Sequence, residues 1–528
     1  MTHVQENILQ EHNLLSVFGQ VLKSEVQLHA DFTLFFFIKS TFREVIIEMK
    51  NSIIGRKDKT LIILLAIYNF CFLGTEYFFD DMMATLTYSS NVVNAQNIIL
   101  GFNFLGVILY PSLCRYLSHK LKKIMSILAC TGCIVSVYMI MLHKSYAQVL
   151  GAGIVCFVIM GVAGGVICYI TNQTISNRKH LAKIIGISYA LGIIIQHIYN
   201  NCVSADFVKV VVLSVFMIAF VCGMCHIIEA PFEKNVNEPQ ENREVIPFYD
   251  IKPKNINNVV SALVVCVALM AVIFSTLDNA VTLVHASGDY NIGQWARLLL
   301  AGSGLIAGFI YDIKGRCFMP LLMFLVTVMS VASIIIIEMG GSFVIGLLVF
   351  YVSAGFFVVF FMTSFMDISL KMKNPRLWAG MGRGLNNVCA IFITYFSVYL
   401  LEQNNQVFLL IVSLILFVLI TCAIIVYYVP YFAAYKKIEE TAIREEILKQ
   451  LPQDVETDKI DAFVKAYGLT EREKEVLVQL LTNRDGVGSM IEQLYMSRSS
   501  FYRHIDRMCD KTCTSSRKDF LKCFQDWK

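Results

Sequence analysis

Long apolar runs are the feature that most constrains the fold of this chain. Between residues 60 and 430 the sequence is a succession of such runs. A helix needs about 20 apolar residues to cross the roughly 30 Å hydrocarbon layer of a bilayer. The composition agrees, since 56% of the residues are hydrophobic, 16% are charged and the mean hydropathy is +0.61. These values exclude an ordinary soluble protein and predict an all-α, polytopic membrane protein.

The runs predict about twelve transmembrane helices in two halves of six. The predicted crossings are 60–82, 92–114, 123–142, 147–171, 182–201, 207–229, 257–284, 291–312, 318–337, 342–366, 378–400 and 407–430. The longest connection is polar, contains four prolines and separates the sixth crossing from the seventh. We therefore expect membrane half 1 over 60–229, a cytoplasmic linker over 230–256 and membrane half 2 over 257–430.

Basic residues are concentrated in alternate connections. One set carries clusters such as Arg56–Lys59, Arg115–Lys123 and Lys371–Arg376, whereas the other set carries only Lys144 and Lys209. Lys and Arg accumulate in cytoplasmic loops of membrane proteins. The distribution predicts a multi-pass protein of the cell (inner, cytoplasmic) membrane with both termini in the cytoplasm.

Residues 1–59 are expected to lie at the membrane surface or in the cytoplasm. Charged residues interrupt every apolar run there before it is long enough to cross. The run 32–38 continues with apolar residues at helical spacing, which is typical of an interfacial helix. A cytosolic cap on the membrane domain fits the same pattern. No signal peptide is expected, because the first twenty residues contain acidic residues and no short apolar core.

One loop motif resembles that of the major facilitator superfamily. It reads Gly308-Phe309-Ile310-Tyr311-Asp312-Ile313-Lys314-Gly315-Arg316 and lies between the eighth and ninth crossings. The resemblance implies a twelve-helix membrane domain over about 60–430. The corresponding place in half 1, residues 106–123, keeps its basic residues but has no matching Asp or second Gly. Because both copies help to gate the cytoplasmic side in that family, this departure argues against active transport.

Charged and polar residues inside the crossings mark candidate ligand-binding positions, because burying them in a membrane is costly. Half 2 supplies Asp278, Asn279, Trp295 and Arg297, and half 1 supplies Glu76 and His197. The alternatives are a structural ion pair between Asp278 and Arg297, and a hydrogen-bonded bundle histidine at His197. Glycines at 161, 164 and 165, at 302, 304 and 308, and at 380, 382 and 384 permit close helix approach.

The composition changes after Pro430. Residues 431–467 are charged and helical in pattern, and we interpret them as a helical connector. Beyond them, Thr470 and Glu473 have the spacing of a helix-starting capping box. Ser497 is positioned to cap a third helix whose Phe501 and Ile505 face inward. The pattern predicts a compact domain of four short helices over 468–528.

The opening block Leu469-Thr470-Glu471-Arg472-Glu473-Lys474-Glu475-Val476-Leu477 resembles the LuxR-type helix-turn-helix domain. Leu494, Met496, Ser497 and His504 fall where that family places its turn and recognition helix, while Cys513 stands where the family usually has Gly. The resemblance implies DNA binding by the third helix. It assigns groove contacts to Ser499, Ser500, Tyr502 and Arg503, and phosphate contacts to Arg507 and Lys511.

The charge distribution of this domain agrees with that role. Residues 469–497 contain three basic and five acidic residues, whereas residues 498–528 contain eight basic and four acidic ones. The basic surplus therefore lies on and after the third helix, where phosphate would be met. A solvated helix face, or a protein-binding bundle, is the alternative interpretation.

No catalytic, metal or cofactor motif is found in the sequence. The 16 cysteines are scattered singly, which favours buried thiols over disulfides or a metal framework. We expect neither an enzyme nor a cofactor.

The sequence therefore predicts a membrane-bound, one-component transcriptional regulator of bacterial type, whose transporter-like membrane domain senses a small molecule. Its expected partners are DNA, membrane lipid, an unidentified small-molecule ligand and a second copy bound through the C-terminal domain. The rival hypothesis is a major facilitator-type secondary transporter with a regulatory C-terminal domain.

Overall fold

The computed structural model describes residues 56–229, 253–286, 296–338, 343–403, 406–450, 456–482 and 487–527, and these ranges contain helices and no strands. The chain divides into two compact units, Met1–Phe432 and Ala433–Lys528, called here the membrane unit and the C-terminal unit. The predicted interfacial helix within 1–59 and most of the predicted 230–256 linker lie outside the described residues.

Twelve long helices follow one another in the described part of the chain up to Gln450, in the order of the twelve predicted crossings. They are α1 (Arg56–Ala84), α2 (Ser89–Tyr116), α3 (His119–Leu142), α4 (Tyr146–Thr174), α5 (Leu181–Cys202), α6 (Asp206–Glu229), α7 (Pro253–Ala286), α8 (Ala296–Tyr311), α9 (Met319–Glu338), α10 (Phe343–Ser369), α11 (Pro375–Gln403) and α12 (Gln406–Gln450). Nine of the described helices are long and apolar enough to span a membrane, so a multi-pass membrane protein is confirmed. The exact number of crossings stays a prediction.

The helices of the two halves pair in the same order. In half 1, α1 packs on α5 and α2 on α4, and in half 2 the equivalent α7 packs on α11 and α8 on α10. Across the interface, α2 packs on α11 and α5 on α8. The second helix of each half thus meets the fifth helix of the other. Such internal twofold order is expected of a membrane protein built from two repeats.

Two tight helix crossings depend on glycine. A Cβ atom added at Gly161 of α4 would lie 2.0 Å from the carbonyl oxygen of Asn103 in α2. One added at Gly308 of α8 would lie 2.7 Å from the carbonyl oxygen of Ala182 in α5. Any larger side chain would force these backbones apart. The predicted role of glycines in close helix approach is confirmed at these two positions.

Helices α3, α6 and α12 form the outer flanks of the membrane unit. Only 22% of the most apolar window of α3 is buried, and 28% of those of α6 and α12, against 78% for α1. Their exposed side chains are large and apolar, as at Ile127, Val215 and Ile415. Extended apolar surface of this kind suits contact with lipid tails.

The last crossing and the first part of the connector form one helix. The sequence pattern placed a crossing at 407–430 and a separate charged helix after Pro430, but α12 continues without a break to Gln450 and contains Pro430. Proline is tolerated in membrane helices because neighbouring groups can satisfy the freed carbonyl. The predicted crossing 407–430 and the start of the predicted connector 431–467 therefore share one helix.

The C-terminal unit is a small helical bundle around one core. Its further helices are α13 (Glu456–Tyr467), α14 (Glu471–Thr482), α15 (Val487–Gln493), α16 (Arg498–Lys511) and α17 (Arg517–Asp526). Phe463 of α13 is completely buried, and its ring lies 4.7 Å from that of Tyr467, 5.0 Å from that of Phe524 and 5.5 Å from that of Trp527. The predicted connector 431–467 included α13, whereas Phe463 of α13 lies in the core of the bundle.

The helix ends of this unit are capped as the sequence indicated. The backbone N–H of Thr470 donates to Glu473 Oε2 over 2.8 Å, and the N–H of Glu473 donates to Thr470 Oγ1 over 3.3 Å, which completes the predicted capping box. Ser497 Oγ accepts from the N–H of Ser500 at the start of α16. At the other end of α16, Cys513 has φ of 54°, the left-handed conformation that usually selects glycine after a helix.

Candidate functional site

The α4–α5 and α8–α9 connections meet at one end of the membrane unit, here called the basic end. A buried ionic cluster joins the two halves there. The Arg316 side chain is fully buried, and its Nε lies 2.7 Å from Asp367 Oδ2 of α10. Its Nη1 donates to Asp312 Oδ1 over 2.8 Å and to the carbonyl oxygen of Arg178 over 2.9 Å. Because Arg178 belongs to half 1, Arg316 connects both halves.

Asp312 extends this cluster to the start of α5. Its two carboxylate oxygens accept from the backbone N–H of Ala182 over 3.2 Å and of Lys183 over 2.7 Å. The first N–H groups of a helix point out of its end, and the positive end of the helix dipole favours the carboxylate. The residues of the major facilitator-like motif therefore act here as an interlocking contact between α8, α10 and α5.

A chain of neutral hydrogen bonds crosses the same interface nearer the opposite end, where α1 finishes and α6 begins. Asn97 Nδ2 of α2 donates to Asn279 Oδ1 of α7 over 2.8 Å. Asn279 Nδ2 donates to Ser397 Oγ of α11 over 2.6 Å. Asn279, a predicted ligand position, is fully buried, and its side-chain amide forms hydrogen bonds with α2 and α11.

Acidic residues gather beside this chain. Glu76 and Asp80 lie one turn apart on α1, and Arg297 of α8 acts electrostatically on both of them and on Asp278 of α7. Gln96 Nε2 donates to Glu76 Oε1 over 2.9 Å, while the Arg297 guanidinium lies 5.2 Å from the ring centre of Tyr77. Within the described residues, Asp278 and Arg297 do not form a direct ion pair closer than 4.0 Å. Three of the predicted ligand positions, Glu76, Asp278 and Arg297, therefore interact electrostatically. Asp278 and Arg297 do not form the direct ion pair that was the alternative interpretation.

Of the two remaining predicted ligand residues, only His197 lies among the described residues. His197 interacts within its own helix, since Asn201 Nδ2 lies 3.2 Å from His197 Nδ1. The neighbouring Gln196 is the buried residue, and it donates to the carbonyl oxygen of Leu73 on α1 over 2.8 Å. Trp295 lies outside the described residues.

Arg383 is a cation inside the membrane unit that the sequence analysis missed. It lies on α11 with one Nη2–H donated to Asn69 Oδ1 of α1 over 3.2 Å. Its guanidinium lies 4.7 Å from the ring centre of Phe72. The residue falls within the predicted crossing 378–400, so the cost of an intramembrane charge was the signal that could have found it.

A basic cavity of about 360 Å³ lies at the basic end between the end of α2 and the α10–α11 connection. Its lining residues are Pro111, Ser112, Arg115, Tyr116, Lys373, Asn374 and Arg376. Three of these side chains are cationic and none is acidic. The cavity therefore favours anionic groups.

The outer face of α16 carries the predicted DNA-binding residues. Phe501, Ile505 and Met508 face the core, whereas Ser499, Arg503 and Arg507 are exposed on one stripe at i, i+4 and i+8. Beside that stripe, Tyr502 is 40% exposed and Ser500 is half-buried. In front of α16, the turn residue Tyr495 is 94% exposed. Two acidic residues, Asp506 and Asp510, share the exposed surface.

Lys511 is engaged in a contact within the protein. Its Nζ lies 2.7 Å from Glu473 Oε2 and donates to the carbonyl oxygen of Gly468 over 2.8 Å. The ammonium thus joins the end of α16 to the start of α14. Among the predicted phosphate contacts, Arg507 is the one whose side chain extends from the outer face of α16.

The Glu473 contact predicts a pH-dependent stability of the C-terminal unit. Burial raises the pKa of the Glu473 carboxyl, but the hydrogen bonds from Lys511 and Thr470 outweigh it and hold the pKa below its ordinary value of 4.5. A depressed folded-state pKa stabilises the fold above pH 4.5, and this contribution is lost as the pH falls through the folded pKa. Glu473→Gln should therefore be less stable than wild type by on the order of 1 kcal/mol near pH 7.

That difference should shrink below pH 4.5, as measured by hydrogen exchange of the α14 amides in the full-length protein. Gln479, on the same helix, offers a position for a control variant, Gln479→Glu. A stability difference for Glu473→Gln that stays constant between pH 7 and pH 3.5 would show that the carboxylate charge has no part in the contact.

Comparisons with known proteins identify no family for the chain. No family model matches the sequence. No curated protein matches it. Among solved structures, the crystal structure of the human organic anion transporter MFSD10 (TETRAN) aligns with a TM-score of 0.49 and 14% sequence identity, over 72% of this chain and 99% of that chain. An alignment at that level carries no conclusion on activity, and both family resemblances stay predictions.

Proposed function

We propose that this chain is a membrane-bound transcriptional regulator that binds DNA through α16 and responds to a small molecule bound by the membrane unit. The observation that carries the proposal is the construction of α16. Its inner face completes the core of the C-terminal unit, while its outer face presents Ser499, Tyr502, Arg503 and Arg507 with no stabilising role in that core. Such a face is suited to a DNA groove.

The turn before α16 supports the same role. Arg472 of α14 donates through Nη2 to the carbonyl oxygen of Leu494 over 2.7 Å, which fixes the turn against α14. Ser497 then caps α16. A recognition helix needs such a fixed entry, because base contacts demand a set position relative to the phosphate backbone. A second copy, bound at a neighbouring half-site, would supply further affinity.

Arg503→Ala tests the proposal. We expect the affinity of the full-length protein for its target DNA to fall by about 1–3 kcal/mol, or roughly 5- to 150-fold, because an exposed arginine on a recognition helix contacts bases or phosphate directly. Chromatin immunoprecipitation with sequencing identifies the bound fragments in wild-type cells. Fluorescence anisotropy on those fragments then gives the affinity of each variant.

Lys465→Ala is the matched control, since Lys465 is an exposed cation of the same unit that lies on α13. It should bind DNA within a factor of two or three of wild type. The proposal is wrong if wild type enriches no fragment, or if Arg503→Ala binds as tightly as wild type.

The rival function is secondary transport with a regulatory C-terminal unit. Its supporting observation is that the membrane unit holds charged residues at the interface of its two halves, where transporters place their substrate sites. Uptake assays with a chain truncated after Gln450 distinguish the two functions. Undiminished uptake by that chain, with no change in target-gene expression in its strain, would favour the transporter.

A further inference from the structure

The middle of the membrane unit contains two buried donors that lack acceptors. Arg383 lies about two turns into α11, and Asn69 about four turns into α1. Among the described residues, Arg383 Nε and Asn69 Nδ2 are both buried and have no hydrogen-bond partner. The two side chains touch each other, because Asn69 Oδ1 accepts from Arg383 Nη2 over 3.2 Å. Their unused N–H groups therefore lie in the same small region.

Within the described residues, no carboxylate lies within 4.0 Å of the Arg383 guanidinium, and the attraction of Glu76 acts on it over a longer distance. Arg316, whose side chain is fully buried, has two aspartates in direct contact. Arg383 contacts an amide oxygen, the ring of Phe72 and, at 4.0 Å, the sulfur of Met362. A guanidinium in a membrane interior is costly without a negative partner, and in other proteins such a residue marks a ligand or ion site.

The surroundings of Arg383 indicate the chemical character of the missing partner. Arg383 Nε and Asn69 Nδ2 are donors with spare capacity, so a partner for them must be an acceptor and, opposite a guanidinium, an anion. The other side is formed by Phe72 and Met362, which suit an apolar body. Asn69 is 1% exposed and held by α5, where a Cβ atom added at Gly192 would lie 2.7 Å from Asn69 Cβ. This amide is therefore fixed in place before a ligand arrives.

We infer that Arg383 and Asn69 form a binding site for the carboxylate of a small molecule with an apolar body. The site lies between α1 of half 1 and α11 of half 2, so a bound carboxylate would contact both halves at once. Carboxylate binding at this site does not depend on DNA. Only the effect of that binding on DNA recognition rests on the proposed function.

The test uses purified full-length protein in detergent and four probes, namely benzoate, octanoate and their neutral amides benzamide and octanamide. Thermal unfolding is recorded against probe concentration. At least one acid should raise the melting temperature of wild type saturably, while its amide should not. Arg383→Gln should weaken the response to that acid about tenfold or more, because it loses a charge-assisted hydrogen bond. Asn69→Ala should weaken it in the same direction.

Lys144→Gln is the control, because Lys144 is an exposed cation of the membrane unit that lies in the α3–α4 connection and does not line the basic cavity. It should respond like wild type. Arg383→Lys keeps the charge and should retain a measurable response where Arg383→Gln unfolds. The inference is overturned if neither acid stabilises wild type, if acids and amides act alike, or if Arg383→Gln keeps the full response. Acid binding without any effect of Arg503→Ala on DNA would instead leave this site intact and refute only the proposed regulator.

Discussion

Replacing Phe463 with alanine should destabilise the C-terminal unit by about 3–5 kcal/mol. The ring is fully buried and packs edge-on against Phe520, Phe524 and Trp527 at 6.1, 5.0 and 5.5 Å. Its removal leaves a cavity at a point where α13 meets α17, and aromatic pairs add to the area term. Hydrogen exchange of the α14, α16 and α17 amides in the full-length protein measures the loss.

Tyr502→Ala is the control for this change, since it removes an aromatic ring from the exposed side of the same unit. It should change the free energy of unfolding by less than about 0.5 kcal/mol. Equal protection of the amides in Phe463→Ala and wild type would mean that α13 is not part of the cooperative core. The expected loss is a large fraction of the stability of so small a bundle.

Arg316→Met should destabilise the membrane unit by about 3–5 kcal/mol, because it leaves Asp312 and Asp367 buried without a positive partner. The loss is expected from uncompensated charge rather than from the lost contacts themselves. A triple variant, Arg316→Met with Asp312→Asn and Asp367→Asn, removes all three charges and should recover most of the stability. Unfolding in detergent, followed by tryptophan fluorescence, compares the variants.

Arg115→Met controls for the loss of a positive charge at the basic end, since Arg115 is exposed. It should leave the unfolding midpoint close to that of wild type. If Arg316→Met matches this control, or if the triple variant is less stable than the single one, the ionic cluster does not hold the halves together as described.

Features that repeat along the sequence could be predicted from it. The twelve apolar runs coincide in order with α1 to α12, because hydrophobic length is a local property. The capping box at Thr470 and Glu473 and the cap at Ser497 were also predictable, because each depends on residues three apart. The continuity of α12 through Pro430 is visible only in the structure.

Features that depend on distant contacts could not be predicted. Lys511 has a charge suited to a phosphate contact, but its ammonium donates to Glu473, 38 residues earlier in the chain. Phe463 lies in a short apolar pattern that suits a connector as well as a core. Arg383 was visible as an intramembrane charge, yet only the fold shows that no carboxylate among the described residues lies within 4.0 Å of it. These are properties of tertiary packing rather than of spacing.

The burial of Phe463 also bears on how the C-terminal unit could be inherited as a module. A gene fusion or an expressed fragment that began at Leu469, where the family-like block starts, would omit the ring on which Phe524 and Trp527 pack. Such a fragment would have an exposed apolar cavity on the surface of the bundle, which favours aggregation. The smallest portable piece therefore begins no later than Glu456, the first residue of α13.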